Sequence, residues 1–305
     1  MLTTNLRLIY NQRKLMLVKI FLALSSISPH IKKLLWKQWY QFLASHYPTK
    51  AWSFMNYGYA LLDDRPATVT LNEADEPNRY AIQLYHHVAS AVDLTNRDVL
   101  EIGSGRGGGA SYLARYLKPK ALTGLDFSDR AVQFCKHAHA VAGLSFIRGD
   151  AESLAFDAAS FDAVINIESS HCYGSMDTFL ANVKRVLRHN GYFLYADFRN
   201  KNDVTLLHSQ MEKSGMEILK REDITANVLR SLDLDDQRKL LLIRALFRDW
   251  LLKPFQEFAG LKGSKIYSGF RVARSFICIM FYRNNWQAEN EKPRHITLGE
   301  VLVIN

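Results

Sequence analysis

The chain has 305 residues, of which 48% are hydrophobic and 23% charged, and it carries three cysteines and a formal net charge of +9. These values are close to those of folded proteins, and they exclude a disordered chain, a collagen-like repeat and a coiled coil. Cys135, Cys172 and Cys278 lie too far apart for a disulfide framework or a CxxC zinc site, so we expect a reducing, cytoplasmic location.

The positive charge is concentrated at the N-terminus. Residues 1–50 carry eight Lys and Arg and no Asp or Glu, whereas the rest of the chain carries 31 basic and 30 acidic side chains. The body is therefore nearly neutral, and we expect no nucleic-acid partner for it. The apolar run from Leu15 to Leu24 is broken by Lys19 and is shorter than the ~20 residues that cross a bilayer. It imitates a secretory signal, but Lys19 and the missing cleavage site disfavour export.

A basic amphipathic helix follows. Ser28 and Pro29 predict its start, with Ser as the N-cap and Pro in the first turn. The apolar residues at helical spacing are Ile31, Leu34, Leu35, Trp39, Phe42 and Leu43. The polar side carries Lys32, Lys33, Lys37 and Gln41. Two interpretations stay open: a cap that packs on the main domain and leaves its lysines solvated, or peripheral membrane contact through residues 1–50.

From Asp98 onward, short apolar runs alternate with helical patterns, which is typical of a parallel sheet with crossover helices. The predicted strands are Asp98–Ile102, Ala121–Leu125, Leu144–Arg148, Asp162–Ile167 and Tyr192–Ala196. The predicted helices are Arg79–Val92, Gly108–Leu117, Ser128–Val141 and Asp177–Arg188. We divide the chain into the arm and cap, residues 1–78, and the main α/β domain, residues 79–305.

The pattern changes after Asp197. It predicts a helix over about 203–214, a strand at Met216–Asp223, one charged helical stretch from Leu234 to Phe258, a glycine-punctuated loop and a last strand at Ser275–Tyr282. A long helical segment between two terminal strands, about 226–262, predicts a lid over the carboxyl edge of the sheet. Ligands of open α/β sheets bind at that edge.

The strongest local signal is the run VLEIGSGRGGG at residues 99–109. Glycines at a strand-to-helix turn let the backbone approach a ligand, and the helix start offers free N–H groups. The GxGxxG spacing of Gly103, Gly105 and Gly108 is weak evidence alone, because dinucleotide-binding proteins share it.

Acidic residues end the first three predicted strands. Asp126 follows Gly105 by 21 residues, where a carboxylate can accept both ribose hydroxyl protons. Asp150 follows the third strand, where it can hold an adenine amino group, and Glu101 ends the first. A pyrophosphate would prefer basic or neutral groups, whereas a sulfonium cofactor with an amino acid tail suits carboxylates.

These motifs resemble those of the class I S-adenosylmethionine-dependent methyltransferases. Glu101-x-Gly103-x-Gly105-x-Gly107 matches their first motif, Asp126 the ribose-binding acid and Gly149–Phe156 the adenine segment. Val186–Tyr192 matches a post-helix turn, from which His189-Asn190 departs. The resemblance implies S-adenosylmethionine as cofactor and a Rossmann-like seven-stranded sheet, mostly parallel with an antiparallel last strand, an N-terminal helical cap and a C-terminal helical lid. The cofactor-binding residues it implies are Tyr57, Glu101, Gly103, Ser104, Gly105, Gly107, Asp126, Phe127, Asp150, Ala151 and Ile167.

Three further segments, 52–59, 83–86 and 168–173, are similar to small-molecule and lipid methyltransferases of the phthiotriolone/phenolphthiotriolone dimycocerosate O-methyltransferase type. This similarity implies O-methylation of a hydroxyl on a lipid, polyketide or terpenoid-like acceptor. C-methylation of such an acceptor and a catalytically silent binding module remain alternatives. A nucleic-acid amino-methyltransferase is disfavoured, because Asn166–Ser169 lacks the Pro-Pro-aromatic string that holds a flipped base.

A hydroxyl acceptor must lose its proton, so the reaction needs a base within hydrogen-bond reach. His171 is the candidate, because it follows the fourth strand at the expected position of the methyl group and an unperturbed histidine titrates near pH ~6.5. Its alternative role is a hydrogen-bonded loop histidine. Glu168 is expected either to orient His171 or to contact the cofactor's amino group. Cys135, His137 and His139 do not share one helix face, so they do not predict a metal site.

Overall fold

Seven strands form a single sheet in the computed structural model, which describes residues 29–63, 69–273 and 275–285. The strands are β1 (Asp98–Ile102), β2 (Ala121–Asp126), β3 (Leu144–Arg148), β4 (Phe161–Ile167), β5 (Leu187–Asn200), β6 (Glu217–Asp223) and β7 (Ser275–Arg283). Their order is β3-β2-β1-β4-β5-β7-β6, and β7 pairs antiparallel with both β5 and β6. The predicted seven-stranded, mostly parallel sheet with an antiparallel last strand is confirmed.

Helices cover both faces of the sheet. They are α1 (Pro29–His46), α2 (Arg79–Ala89), α3 (Gly108–Tyr116), α4 (Asp129–Ala138), α5 (Met176–Val186), α6 (Lys201–Lys213), α7 (Thr225–Leu246), α8 (Asp249–Phe258) and α9 (Lys265–Arg271). Successive strand residues alternate between two core clusters: Val99 and Ile165 pack with α2, α3 and α4, and Leu100 and Val164 pack with α5 and α6. This alternation buries both faces, as a parallel sheet with crossover helices requires.

The lid differs from the prediction in two places. The predicted helical stretch from Leu234 to Phe258 is two helices, because α7 ends at Leu246 and extended backbone at Phe247 and Arg248 precedes α8. The break lets the buried Phe247 ring stack on Phe255 of α8, with 3.5 Å between ring centroids. The expected glycine loop also contains a helix, α9, whose N-cap Ser264 accepts a hydrogen bond from the Tyr267 amide.

Several strand and helix ends also differ from the predicted ones. The predicted strand Tyr192–Ala196 is only the centre of β5, whose pairing continues to Asn200 against β7. Helix α5 ends at Val186, two residues before the predicted end. Asn190 adopts a left-handed φ of +58°, as its position in the predicted turn suggested, but it lies within the irregular start of β5.

Helix α1 packs on α4, and much of its predicted apolar stripe is packed as expected, because Leu43 is 1% exposed and Trp39 and Phe42 contact the cluster formed with the lid helices. Leu34, placed on the apolar stripe, is 56% exposed, whereas Lys33, expected to be solvated, is largely buried against Asp150 and Glu152. The apolar stripe therefore packs mainly against the lid, while Lys33 pairs with carboxylates at the sheet edge. The predicted N-cap Ser28 and the remainder of the arm lie outside the described residues.

The segment after α1 is fixed to the glycine loop by Arg106. This side chain is 3% exposed and donates hydrogen bonds to the backbone oxygens of Tyr47, at 2.7 Å, and of Thr49 and Trp52. Burial lowers its pKa to about 10. In the ranges that the structure describes, no helix is both long and apolar enough to cross a membrane.

Candidate active site

A cleft of about 1140 Å³, partly open to solvent, lies at the carboxyl edge of β1, β2 and β4. Its lining includes both predicted catalytic residues, His171 and Glu168, and most of the predicted cofactor residues. The latter are Tyr57, Gly103, Ser104, Gly105, Asp126, Phe127, Asp150, Ala151 and Ile167. Residues distant in sequence therefore meet at one edge, where open α/β sheets bind their ligands.

The glycine loop has a backbone that other residues could not easily adopt. Gly103 and Gly105 have φ values of +79° and +54°, in the left-handed region. A Cβ atom at Gly103 would lie 1.9 Å from the Ser169 hydroxyl oxygen, and one at Gly105 would lie 2.7 Å from the Met55 terminal carbon. The loop is therefore a tight turn with no room for side chains at these two positions, the kind of backbone that can approach a ligand closely.

Asp126 ends β2 beside this loop. Its Oδ2 accepts a hydrogen bond from the Gly105 amide and its Oδ1 one from the Ser128 amide, both at 2.8 Å. Burial raises the pKa of Asp126 to about 6, although these amide hydrogen bonds oppose the rise. Each carboxylate oxygen keeps a lone pair, so the side chain can accept both hydroxyls of a ribose.

Asp150, at the end of β3, contacts an unexpected partner. Lys33 of α1 donates to its Oδ1 at 2.8 Å and its Oδ2 at 2.7 Å, and lies 3.0 Å from Glu152 Oε1. The Lys33 ammonium also lies 5.2 Å from the centre of the Phe127 ring. Desolvation opposes its charge, but the two carboxylates outweigh it and raise the pKa of Lys33. The cap helix thus places a cation at the carboxylate predicted to bind adenine.

Two predicted cofactor residues do not line the cleft. Glu101 is 1% exposed, and its Oε1 accepts a hydrogen bond from the Tyr85 hydroxyl at 2.7 Å. Burial raises the pKa of Glu101 to about 7. Gly107, with φ of +77°, caps the start of α3, and a Cβ there would lie 2.7 Å from His139. Glu101 is therefore buried behind the cleft, and Gly107 is the last residue of the loop before α3.

Glu168 follows β4 with a φ of +46°, which is uncommon for a residue other than glycine. Its Oε2 accepts a hydrogen bond from the Tyr57 amide at 3.0 Å, while its buried Oε1 has no partner among the described residues. Burial and the nearby Asp197 raise the pKa of Glu168 to about 8. A cation arriving at this oxygen would favour the ionised carboxylate.

His171 lies in the short 3-10 turn Ser170–Cys172 and is held by Asp197, a residue of β5 that the sequence interpretation did not assign. The His171 Nδ1 and amide lie 2.8 and 2.9 Å from the Asp197 carboxylate oxygens. Ser170 donates to the same carboxylate at 2.6 Å, and Arg199 lies 3.1 Å from it. Asp197 is 0% exposed.

The charges of this network support each other. Burial would lower the pKa of His171, but Cys172 and the Asp197 carboxylate outweigh it and raise the pKa to about 10. Burial would raise the pKa of Asp197, but His171 and Arg199 hold it well below its usual range. Asp197 occupies Nδ1 of His171, and the Cys172 side chain also interacts with the ring.

The structure assigns separate partners to the Cys135, His137 and His139 side chains. The Cys135 thiol lies 3.4 Å from the Gly105 oxygen, and the His139 Nε2 lies 2.8 Å from the Arg106 oxygen. His137 contacts the Gln133 oxygen within its own helix. Sequence reasoning missed Asp197 and Lys33. No local pattern marks Lys33, but Asp197 directly follows the predicted fifth strand, Tyr192–Ala196, and an acid in that position is a signal of the same kind as Asp126.

The sequence and the fold are similar to those of known methyltransferases. A methyltransferase domain family matches residues 100–195. The chain is 40% identical over 234 residues to a phthiotriol/phenolphthiotriol dimycocerosates methyltransferase of Mycobacterium tuberculosis, across 77% of this chain and 86% of that protein. It is 44% identical over 204 residues to a fatty-acid O-methyltransferase of Mycolicibacterium smegmatis, across 66% of this chain and 74% of that protein.

Among solved structures, the 4+2 cyclase SpnF has a TM-score of 0.63 at 16% identity, across 82% of this chain and 95% of that one. This likeness concerns the fold alone, because one fold hosts many reactions. The 40% identity to the curated methyltransferase carries the family assignment that the motifs predicted. The chain belongs to the S-adenosylmethionine-dependent methyltransferase family that includes the phthiotriol/phenolphthiotriol dimycocerosates methyltransferases.

Proposed function

We propose that this enzyme O-methylates a hydroxyl group of a lipid-type acceptor, with His171 as the general base and Asp197 as its positioning residue. The observation that carries the proposal is the 2.8 Å contact between His171 Nδ1 and the Asp197 carboxylate at the mouth of the cleft. The relatives named above as dimycocerosates and fatty-acid methyltransferases support the lipid-type acceptor.

The cofactor site is proposed from the same cleft. Asp126 would hold the ribose, Asp150 the adenine amino group, and the backbone of Gly103 and Gly105 the adenosine's inner edge. Glu168 would accept a hydrogen bond from the amino acid tail, because its Oε1 is buried without a partner in the described part of the chain. When bound, S-adenosylmethionine supplies an electrophilic methyl group.

The chain's own residues then align the acceptor and remove its proton. The neutral form of His171, a minor fraction at pH 7 because the pKa is raised to about 10, would take the hydroxyl proton as the oxygen approaches the methyl carbon, and the Asp197 carboxylate would stabilise the resulting imidazolium. Tyr57, 6% exposed and packed against Phe198 and Phe270 at 5.5 Å between ring centroids, would exclude water from the cleft. Alignment of the two reactants accounts for most of the expected acceleration.

The N-terminal residues are proposed as the cap of this domain, with residues 1–78 as the arm and cap and 79–305 as the catalytic domain. Peripheral membrane contact through residues 1–50 is compatible with this role, because a cap over the cleft can receive a lipid acceptor. If the arm binds anionic vesicles electrostatically, binding should fall with added salt and disappear when residues 1–50 are deleted. Binding that does not change with salt would contradict the membrane role.

Incubation with methyl-labelled S-adenosylmethionine and fractionated lipids tests the proposed function. We expect label in a lipid that contains a methyl ether, at a rate that His171→Gln lowers without a matching loss of cofactor affinity. Label on carbon would favour the alternative C-methylation. No label in any lipid fraction, despite cofactor binding, would favour a binding module and contradict the proposal.

A further inference from the structure

Arg199 carries a largely buried charge to which the proposed reaction assigns no role. It lies on β5 two residues after Asp197, and residues two apart on a strand share one face. Its side chain is only 14% exposed. Burial opposes its charge, but Tyr195 and Asp197 outweigh burial and raise the pKa of Arg199 above its usual range. A buried guanidinium is costly unless it is paired and hydrogen-bonded, so its partners indicate what it does.

The Asp197 carboxylate presents one oxygen to each of two cations. Its Oδ1 lies 2.8 Å from His171 Nδ1 and accepts a hydrogen bond from the Phe198 amide at 2.8 Å. Its Oδ2 lies 3.1 Å from Arg199 Nη1, which also donates to the Phe198 oxygen at 2.8 Å. The carboxylate therefore bridges His171 and Arg199, and both share its negative charge.

Ser170 fixes the direction of the contacts at Oδ2. Its hydroxyl donates to Asp197 Oδ2 at 2.6 Å, and a hydroxyl has only one proton to donate. It therefore accepts hydrogen bonds from Arg199 Nη2, at 2.7 Å, and from the Tyr195 hydroxyl, at 2.9 Å. Arg199 thus holds Oδ2 both directly and through Ser170, and this anchoring directs Oδ1 toward the ring of His171.

The two cations on this carboxylate have opposite consequences for the His171 proton. Burial lowers the pKa of His171, but Cys172 and Asp197 outweigh burial and raise it to about 10. A second positive charge on the same carboxylate disfavours the protonated ring, because like charges repel and the carboxylate charge is shared. Arg199 therefore makes the neutral ring, the form that takes a hydroxyl proton, more abundant at a given pH.

The other ionisable groups around His171 come from several elements. Helix α1 contacts the turn that carries His171, but the charge of its Lys33 is paired with carboxylates at the end of β3. Phe198 stacks on the His171 ring and contacts Tyr57, with 4.2 and 5.5 Å between ring centroids. The ionisable groups are Glu168 at the end of β4, Cys172 in the same turn, Tyr57 before α2, Asp197 and Arg199 on β5, and Lys33 with Asp150 and Glu152.

We propose that Arg199 is a positioning residue that acts on His171 through the Asp197 carboxylate they share. It orients Oδ1 toward the His171 ring, and its charge increases the fraction of that ring in the neutral form. The catalytic consequence rests on the proposed function, in which His171 is the base. The effect on the titration of His171 does not depend on that function.

The nitrogen signals of the His171 ring measure this titration directly in the full-length, histidine-labelled protein. The signal that disappears in His171→Gln identifies the residue. Arg199→Gln should move the midpoint of its titration upward by about one pH unit, as expected for removal of a nearby like charge. Arg199→Lys keeps the charge and should restore a midpoint close to the wild-type value. Arg230→Gln, exposed on α7, is the control.

Ser170→Ala tests the same coupling with a smaller change, in case Arg199→Gln does not fold. It removes the hydroxyl between Arg199 and Asp197, which leaves the carboxylate less neutralised and should also raise the midpoint of His171. An unshifted or lowered midpoint in Arg199→Gln, or in Ser170→Ala if only that variant folds, would overturn the inference. A merely structural role of Arg199 would lower activity without this upward shift.

Turnover measures the catalytic consequence, with 1-dodecanol as the hydroxyl probe. At pH 8, Arg199→Gln should lower kcat by about tenfold, because a midpoint one pH unit higher leaves about tenfold less neutral His171. KM should change little, because Arg199 acts on the base and not on the acceptor. Asp197→Asn should move the midpoint in the opposite direction, since it removes the negative charge.

The proposed function and this inference fail in different ways. Full activity of His171→Ala would refute the base assignment, while an upward shift of the His171 signal in Arg199→Gln would still support the coupling. A shifted signal with unchanged kcat at pH 8 would overturn the catalytic consequence of Arg199. An unshifted signal in an otherwise folded Arg199→Gln would refute the inference alone.

Discussion

The buried carboxylates in the two halves of the cleft have different kinds of partner. On the cofactor side, Asp126 receives only neutral amide hydrogen bonds, and burial raises its pKa to about 6. On the acceptor side, His171 and Arg199 outweigh the burial of Asp197 and hold its pKa well below its usual range. On the cofactor side, the Asp126 carboxylate can accept further hydrogen bonds from a polar ligand. On the acceptor side, the charge of Asp197 is already balanced by His171 and Arg199. Loss of a residue should therefore affect binding in the first and turnover in the second.

The largest effect is expected at the base. His171→Ala should lower kcat with a hydroxyl acceptor by about 10²- to 10⁴-fold, the usual contribution of general-base catalysis. The affinity for S-adenosylmethionine, measured by calorimetry, should change little. His137→Ala, an exposed histidine of α4, is the matched control. Full activity of His171→Ala would refute the base assignment.

On the cofactor side, Asp126→Ala should weaken S-adenosylmethionine binding by about 100-fold, because two charge-assisted hydrogen bonds of ~1.5 kcal/mol each would be lost. Asp129→Ala, an exposed acid three residues later, is the control. A calorimetric titration measures both. Unchanged affinity in Asp126→Ala would remove the ribose assignment.

The pH profile tests the charge coupling of the acceptor side. Since the pKa of His171 is raised to about 10, its neutral, basic form increases tenfold per pH unit below that value. The kcat for a hydroxyl acceptor should therefore rise from pH 7 to pH 9. Asp197→Asn should lower kcat by about 10- to 100-fold and move the midpoint of the profile to lower pH, because the carboxylate that raises the pKa is gone. An unshifted midpoint would show that Asp197 has only a structural role.

The same coupling affects stability with a defined sign. A histidine whose pKa is higher in the folded protein than its ordinary 6.5 stabilises the fold fully below pH ~6.5. That contribution is lost as the pH rises through about 10. Thermal melting from pH 6 to pH 10 should therefore show a smaller loss of Tm in His171→Gln than in the wild type. Equal losses would contradict the charged pair.

The smallest effect is expected at the cap. Lys33→Met should raise the affinity for S-adenosylmethionine by about threefold, because the ammonium competes with the adenine amino group for Asp150 and a partly exposed ion pair contributes ~0.5–1 kcal/mol. Lys136→Met, exposed on α4, is the control. A lower affinity in Lys33→Met would mean that Lys33 supports the adenine site and does not compete for it.

The sequence determined the features that depend on neighbours along the chain. The glycine loop and Asp126 each lie in a strand-turn-helix unit, and Asp150 follows a strand closely, so their positions along the chain predicted their place at one sheet edge. The order of apolar runs predicted the alternating sheet for the same reason. Predicting these positions required no knowledge of which helix covers the sheet.

Only the tertiary structure decided the rest. Asp197 meets His171 across 26 positions because β4 and β5 are adjacent strands, and Lys33 meets Asp150 across 117 because α1 folds back over the edge. Periodicity records which face of an element is apolar, but the partner of a buried charge depends on elements that the sequence places far away.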